Sequence, residues 1–492
     1  MSKKVVLFQG HPIDVDCKYQ DAALYIKDNV VYSCTLNQTD IETNKNKYYI
    51  MQLLVVSGKY IIFTKYGRIS TTEKGKCNYE EYSSENEATF DFIKTFKSKT
   101  GNKFPISQRD FIKKSGKYYL TETTIEEPVK KDDKVEIKVE EEVKSKLDPE
   151  IKEFIELISD TKLMNNTMAE LEINLEKMPL GNISKTQVEN AYKILNKIAN
   201  NTDNDDIVAL SSEFYTLFPI DFKRKKPLCI NSKELLAKYM NMLNEVSNMV
   251  ITTTIIKSVS NIDSIYDRLN TKISVLKSDT NMYKVLKNYI YSSLASTHHF
   301  KFDIHSIYGL TRENEEKNYK EFSKDIGNKT LLFHGTRLTN LVGILSTNLL
   351  CDPSKLGMNV HVSGKLFGNG LYFADSFSKS LQYCDPRNAK KTCCLFVTEV
   401  ALGNLYKTED WDYKQKLDKQ YQSTHGLGSS GFSEFKKLEE IIENCDENMK
   451  EIRIPYGKFE KYKDSRSLLY NEYIIYNDPQ CTLRYVVRLN MK

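Results

Sequence analysis

No run of 18 or more apolar residues occurs anywhere in the 492 residues, which excludes a hydrophobic helix spanning a bilayer. The opening Met1-Ser2-Lys3-Lys4-Val5-Val6-Leu7-Phe8 holds too short an apolar run for a secretory leader. The expectation is an intracellular protein with no membrane partner. Cysteine is sparse and unpatterned. Ten are scattered along the chain with no C-x-x-C and no Cys/His set at zinc-finger spacing, which argues against a structural metal site. The one adjacent pair, Cys393-Cys394, sits in an apolar run, where strand alternation sends the two side chains to opposite faces. Irregular cysteines in a chain of this size fit a reducing compartment. A strong overall charge is missing too, since the formal balance is only +5. The first ~120 residues hold a surplus of roughly +6, which points to a local anionic partner.

What is present suggests several domains, because 492 residues with 40% hydrophobic composition exceed one ordinary core. Residues 1–20 show no periodicity and read as a flexible tail. Over 21–122 the pattern is β-rich: Lys47 to Val56, a Ser57-Gly58 turn, then Tyr60 to Lys65 predict a hairpin running into Tyr66-Gly67-Arg68. A helix follows, with Ala88, Phe90, Phe92, Ile93 and Phe96 as its apolar stripe. Residues 123–147 are mostly Glu, Lys, Asp and Val and read as a charged linker, within which Lys130-Lys131 is compatible with nuclear import. Residues 148–260 predict an all-α bundle. Asp148-Pro149 opens its first helix as N-cap and first helical residue, and Ser184-x-x-Gln187 and Asn231-x-x-Glu234 read as later helix starts.

The segment 261–492 carries the chemistry. Leu331-Leu332-Phe333-His334-Gly335-Thr336, Gly370-Leu371-Tyr372-Phe373-Ala374-Asp375 and Asn471-Glu472-Tyr473-Ile474-Ile475-Tyr476 each set a short apolar or aromatic run beside polar residues. They read as three strands delivering a His, a Tyr and a Glu to one cleft. Ser378-Lys379-Ser380-Leu381-Gln382-Tyr383 reads as a helix start, with Lys379 and Tyr383 on one face.

Three resemblances follow from these residues. The β-rich segment is similar to the WGR domain, with Tyr66 where Trp is usual. The bundle resembles, through Pro179-Leu180-Gly181 and Glu213-Phe214-Tyr215-x-x-Phe218-Pro219, the helical regulatory domain of DNA-dependent poly(ADP-ribose) polymerases. The four C-terminal motifs, in order over ~140 residues, resemble that family's catalytic domain. The implied fold is multidomain α+β: a small β-rich WGR domain, an all-α helical regulatory bundle, and a C-terminal mixed α/β ADP-ribosyltransferase domain built on antiparallel sheets. The order is that of the short, zinc-finger-less members.

The resemblance implies an NAD+ substrate, no metal, and an ADP-ribosyltransferase activated by DNA strand breaks in DNA repair. Catalytic roles pass to Glu472, His334, Tyr372 and Lys379. NAD contacts pass to His334, Gly335, Thr336, Gly343, Tyr372, Ser380 and Tyr383. Contacts to 5′-phosphate ends of broken DNA pass to Tyr66 and Arg68, with Asn46 as a third. Acceptors are expected to be the enzyme itself and chromatin proteins, in the nucleus, or in a host compartment if the chain is viral. Leu350 stands where an Arg is frequent, and Lys365-Leu366 replaces a Tyr-Met pair in a lengthened loop from Cys351, which weakens the expectation of long polymer. The end at Arg488-Leu489-Asn490-Met491-Lys492 lacks the family's longer apolar tail, so a partner docking there is expected to be lost. Two alternatives stay open: a mono-ADP-ribosyltransferase of the same fold, and an inactive scaffold that holds DNA ends.

Overall fold

Alternating residues over Lys45–Val56 and Lys59–Arg68 form the expected hairpin, closed by Ser57 and Gly58 at φ of 47° and 80°. A two-residue turn with both residues at positive φ matches the twist of the strands it joins. The computed structural model describes residues 7–8, 11–19, 21–70, 75–107, 110–123, 145–173, 183, 185–259, 261–295, 297, 299–351, 367, 370–388, 390–410, 417–462 and 466–492. The linker core 124–144, Pro179-Leu180-Gly181, Ser184 and the loop with Lys365-Leu366 lie outside these residues.

Two compact units emerge, one of residues 1–143 with 164–243 and one of 144–163 with 244–492. In the first, the antiparallel sheet runs Tyr119–Thr123, Ser33–Asp40, Lys45–Val56, Lys59–Arg68, Lys76–Tyr82, with Ala23–Leu24 paired to Lys45–Val56. Helix Glu85–Thr100 buries Ala88, Phe92 and Phe96 but leaves Phe90 in solvent. Helices Lys185–Ala199 and Asn204–Leu217 complete this unit together with the start of Lys233–Lys257. Helix Asn204–Leu217 is tied to the strand Ser33–Asp40, since Thr39 N donates to Thr216 Oγ1 (2.8 Å) and Ile41 N to Ser212 Oγ (3.0 Å).

Two helix starts differ from the sequence reading. Gln187 is buried and donates Nε2 to Leu217 O at 2.7 Å, because the last carbonyls of Asn204–Leu217 need a donor inside the core. At Lys233–Lys257 it is Ser232, not Asn231, whose hydroxyl accepts from a first-turn amide, Leu235 N at 3.1 Å.

The second unit holds an eight-stranded sheet in the order Lys272–Val275, Phe302–Thr311, Cys481–Met491, Thr392–Ala401, Lys329–Gly335, Arg453–Lys461, Gly428–Lys437, Leu468–Tyr470. A four-stranded sheet runs Leu371–Phe373, Glu472–Ile475, Ser423–Gly426, Leu405–Thr408. Most neighbours are antiparallel; three pairs are parallel, so the sheets are mixed. Thr392–Ala401 is buried along its whole length, with Cys394, Phe396 and Val400 in one core and Cys393, Leu395 and Val397 in another. The adjacent cysteines do face opposite ways, and both are free thiols. Helix Pro149–Ile158 belongs here, with Asp148 as its N-cap and Phe154 stacked on Tyr308 at 4.5 Å.

Candidate active site

Strand Lys329–Gly335 is buried from Thr330 to Phe333 and then reaches His334 and Gly335. Beside it Phe333 and Ala374 exchange backbone hydrogen bonds of 2.9 and 3.0 Å, so the larger sheet meets the smaller one at this point. The junction lies between His334 and Tyr372. The His334 Nδ1 lies 2.9 Å from the Tyr372 carbonyl oxygen. A carbonyl only accepts, so Nδ1 carries the proton, and in the neutral ring Nε2 is left as the acceptor nitrogen.

Strand Leu371–Phe373 pairs with Glu472–Ile475, Tyr372 opposite Ile474 and Phe373 opposite Tyr473. Glu472 is therefore the first residue of its strand, at the edge of that pairing and opposite Gly426 on the other side. Its carboxylate forms an ion pair with Lys379 Nζ, and both side chains are largely buried. Lys379 lies on the short helix Phe377–Leu381, which Ser376 opens by accepting Lys379 N at 3.4 Å.

Gly335 explains why that helix can sit so close. A Cβ added there would lie 1.7 Å from Ser380 O and 2.6 Å from its carbonyl carbon, so no side chain fits between the two backbones. Ser380 is buried and donates Oγ to Phe333 O at 3.3 Å. Thr336 is buried, its hydroxyl accepting from Asn340 Nδ2 at 2.9 Å. The Tyr372 hydroxyl accepts Phe367 N at 3.0 Å, which fixes the ring. Tyr383 stands 61% exposed, on the turn after the Lys379 helix. Gly343 is set apart from this group, inside helix Leu341–Thr347, where an added Cβ would meet Asn248 Oδ1 at 2.6 Å. Leu350 and Cys351 come after that helix, beyond Asn348 and Leu349.

Sequence reasoning assigned no role to three polar residues that hold this arrangement. Asp375, fully buried, accepts from Asn471 Nδ2 at 2.8 Å, and Asn471 Oδ1 accepts Gly428 N at 3.0 Å. The bond joins the residue after Ala374 to the residue before Glu472. Burial pushes the Asp375 carboxyl up to about 6, against the pull of the Asn471 bond. His425 stacks on Tyr473 at 4.4 Å, and burial lowers its ring to about 4, so it stays neutral at physiological pH. The available signal was a polar residue flanking an apolar-aromatic run, which cannot by itself name its partner.

A carboxyl whose folded value is raised binds its proton more tightly in the native state. The stability this adds is present below its ordinary value of 3.8 and is lost as pH rises to about 6. Relative to wild type, Asp375→Asn is therefore expected to gain stability as pH rises from about 4 to 6.5, by up to about 3 kcal/mol. Urea unfolding at both pH values checks this; parallel curves for the two proteins would contradict it.

The first unit carries the other candidate residues. Tyr66 is 40% exposed and stacks on Tyr49 at 5.8 Å and 16°. Lys99 lies over Tyr49 at 4.5 Å and Lys47 over Tyr118 at 5.0 Å, so the face mixes rings with cations. In the hairpin register Lys47 faces Arg68 and Tyr49 faces Tyr66, which puts these four on one side of the sheet. Asn46 points to the other side. It is buried, bonded to Thr39 Oγ1 (2.9 Å) and Ile220 O (3.0 Å), and the structure does not bring it to the Tyr66 face. Arg68 binds four neutral oxygens: Lys223 O, Lys225 O, Asn44 O and Asn44 Oδ1, at 2.8–3.0 Å.

Among the described residues no group of three or more His, Cys, Asp or Glu could hold a metal ion, and no helix is long and apolar enough to cross a membrane.

A mixed-sheet domain with His, Tyr and a Lys–Glu pair at one junction, preceded by helices and an aromatic sheet, defines the class, and comparison with known proteins agrees. The chain matches the family models for the poly(ADP-ribose) polymerase catalytic domain (280–491), the poly(ADP-ribose) polymerase regulatory domain (145–272) and the WGR domain (32–111). It belongs to the poly(ADP-ribose) polymerase family. It is 31% identical over 503 residues to poly [ADP-ribose] polymerase 2-A of Oryza sativa subsp. japonica, covering 99% of this chain and 74% of that protein. It is 32% identical over 504 residues to poly [ADP-ribose] polymerase 1 of Gallus gallus, and 33% over 511 residues to the poly [ADP-ribose] polymerase of Drosophila melanogaster. Those two alignments take in 99% and 100% of this chain, which spans about half the length of these two relatives, 48% and 49%.

Proposed function

We propose that this chain transfers ADP-ribose from NAD+ to protein acceptors, building polymer, and that DNA strand breaks switch it on. The observation that supports this most directly is the Lys379–Glu472 pair, with Glu472 two residues along its strand from Ile474, which faces Tyr372 where that residue meets His334. Breaking the nicotinamide–ribose bond sends its electron pair to nicotinamide and leaves positive charge on the ribose. A fixed carboxylate stabilises that charge as it develops. Glu472 takes this role and accepts from the ribose hydroxyl, while Lys379 pairs with the carboxylate and holds it in place. The acceptor's oxygen then bonds the same ribose carbon and gives up its proton.

The remaining residues bind and orient. Gly335 and Thr336 offer backbone and hydroxyl groups to the nicotinamide amide, and Ser380 adds a third. Tyr372 and Tyr383 flank the aromatic ring, and His334 takes the adenosine ribose through Nε2. Gly343 supports the wall from behind, packed on Asn248. The ring-and-cation face around Tyr66, Tyr49, Lys47 and Lys99 suits the 5′-phosphate end of a broken strand, with stacking on the sugar and charge toward phosphate. The acceptors are the enzyme itself and chromatin proteins, and the site of action is the nucleus.

The test is incorporation of labelled NAD+ with and without a 5′-phosphorylated nick. A ladder of products that needs the nick is the expected result. A single shifted band would reassign the chain as a mono-ADP-ribosyltransferase, and binding without incorporation as a scaffold. Tyr66→Ala should weaken nick binding by about 10-fold, since one stacking contact is worth ~1–3 kcal/mol.

A further inference from the structure

Arg68 raises a question about its own charge. All four of its hydrogen bonds end on neutral oxygens, so none of these partners brings a counter-charge. Two of those bonds take the carbonyls of Lys223 and Lys225, in the run Lys223-Arg224-Lys225-Lys226, where all four residues are exposed. The run forms a tight turn: Lys225 N donates to Phe222 O at 2.9 Å, Lys223 N to Asp221 Oδ1 at 2.7 Å, and Lys223 sits at φ of 54°. A non-glycine residue in the left-handed region persists only where its surroundings hold it. Here Arg68 and Asp221 do so. The clamp grips the backbone and leaves the side chains outward.

The result is a concentration of like charge. Arg68 and four consecutive cations lie together, and Lys47 stands opposite Arg68 on the neighbouring strand. The Asp221 carboxylate lies at the same turn, and the exposed Lys223, Lys225 and Lys226 still give this surface a positive field that favours an extended anion. A rigid turn presenting cations binds a polyanion with little ordering cost. Continuity with the Tyr66 face gives that anion a path, because Arg68 and Tyr66 share one side of the hairpin.

We infer that the turn Lys223–Lys226 is a second contact for the phosphate backbone of the same DNA, and that Arg68 is a positioning residue which holds this turn rather than a phosphate ligand. This rests on the DNA-end reading above and extends it: the duplex beside the break runs from the Tyr66 face across the turn. The contact is to phosphates alone, so it carries no sequence preference.

The test is a full-length variant with K223Q, R224Q, K225Q and K226Q together, measured against wild type on a 5′-phosphorylated nicked duplex over a series of salt concentrations. The clamp uses main-chain carbonyls, so the variant keeps its fold, and an unchanged thermal midpoint checks that. Each lost phosphate contact lowers the slope of log K against log salt by about 0.9. The expected result is a slope smaller by about 2–3 and affinity down ~10–100-fold near 0.1 M salt. An equal slope for both proteins overturns the inference while leaving the Tyr66 face intact. Wild type that fails to bind the nick removes the DNA reading and this inference with it. Loss of nuclear accumulation with an unchanged slope would reassign the turn to an import partner and overturn the DNA contact.

Discussion

Glu472→Gln is expected to lower the rate of ADP-ribose transfer by about 10²–10³ while the KM for NAD+ moves only a few-fold. The amide has the size of the carboxylate and still offers an oxygen to Lys379, so the strand start and the helix keep their places. What disappears is one negative charge next to a developing cation. A unit charge about 5 Å away at an effective dielectric of ~20 is worth about 3 kcal/mol, or roughly two powers of ten in rate. Lys379 is left as a largely buried cation with no counter-charge from Glu472, which adds to the loss. Chain extension suffers more than simple cleavage, because water can replace the acceptor in hydrolysis of NAD+. The measurement is steady-state transfer with the nick present, alongside release of nicotinamide. A kcat within 3-fold of wild type would falsify the role given to Glu472, and a large rise in KM alone would make it a binding group.

Gly335→Ala has the largest structural effect expected of any single methyl group in the site. Its Cβ would lie 1.7 Å from Ser380 O, where real contacts do not fall below 3.0 Å, and the obstacle is backbone rather than a flexible side chain. Either the strand end or the short helix carrying Lys379 and Ser380 must move by more than about 1 Å, and a misplacement of that size costs about 10² in rate. Destabilisation of about 3–5 kcal/mol should accompany it, lowering the melting point by roughly 10 °C. Gly343→Ala is the control. Its nearest obstacle is the tip of the Asn248 side chain rather than backbone, although the Asn248 Cβ and Cα lie close behind at 3.1 and 3.2 Å. A smaller fall in melting point and a measurable residual activity are expected there. Circular dichroism melts and the labelled-NAD+ assay on the two variants decide the matter. Equal behaviour of the two would mean that the Gly335–Ser380 approach does not govern the site.

The elements themselves could be read in advance wherever the signal was local. Strand alternation and a Ser57-Gly58 turn located the hairpin, and Asp148-Pro149 marked a helix start that the structure reproduces. Less local signals misled. Gln187 looked like a capping partner because it stands three residues after a serine, yet burial against Leu217 O took its side chain elsewhere. The resemblance grouped Asn46 with Tyr66 and Arg68, whereas the register of the hairpin sends it to the opposite face.

By itself, the order of residues determined which segments become strands and helices and which chemical groups the C-terminal domain has available, because turn chemistry and periodicity act over a few neighbours. Only the tertiary structure decided that Gly335 lies against Ser380, that Asp375 holds Asn471 across 96 residues of chain, and that Arg68 grips the carbonyls of a basic turn 155 residues away. Those contacts depend on sheet order and strand register. Both are settled by which buried faces pack together, a property of the whole core that no short window contains.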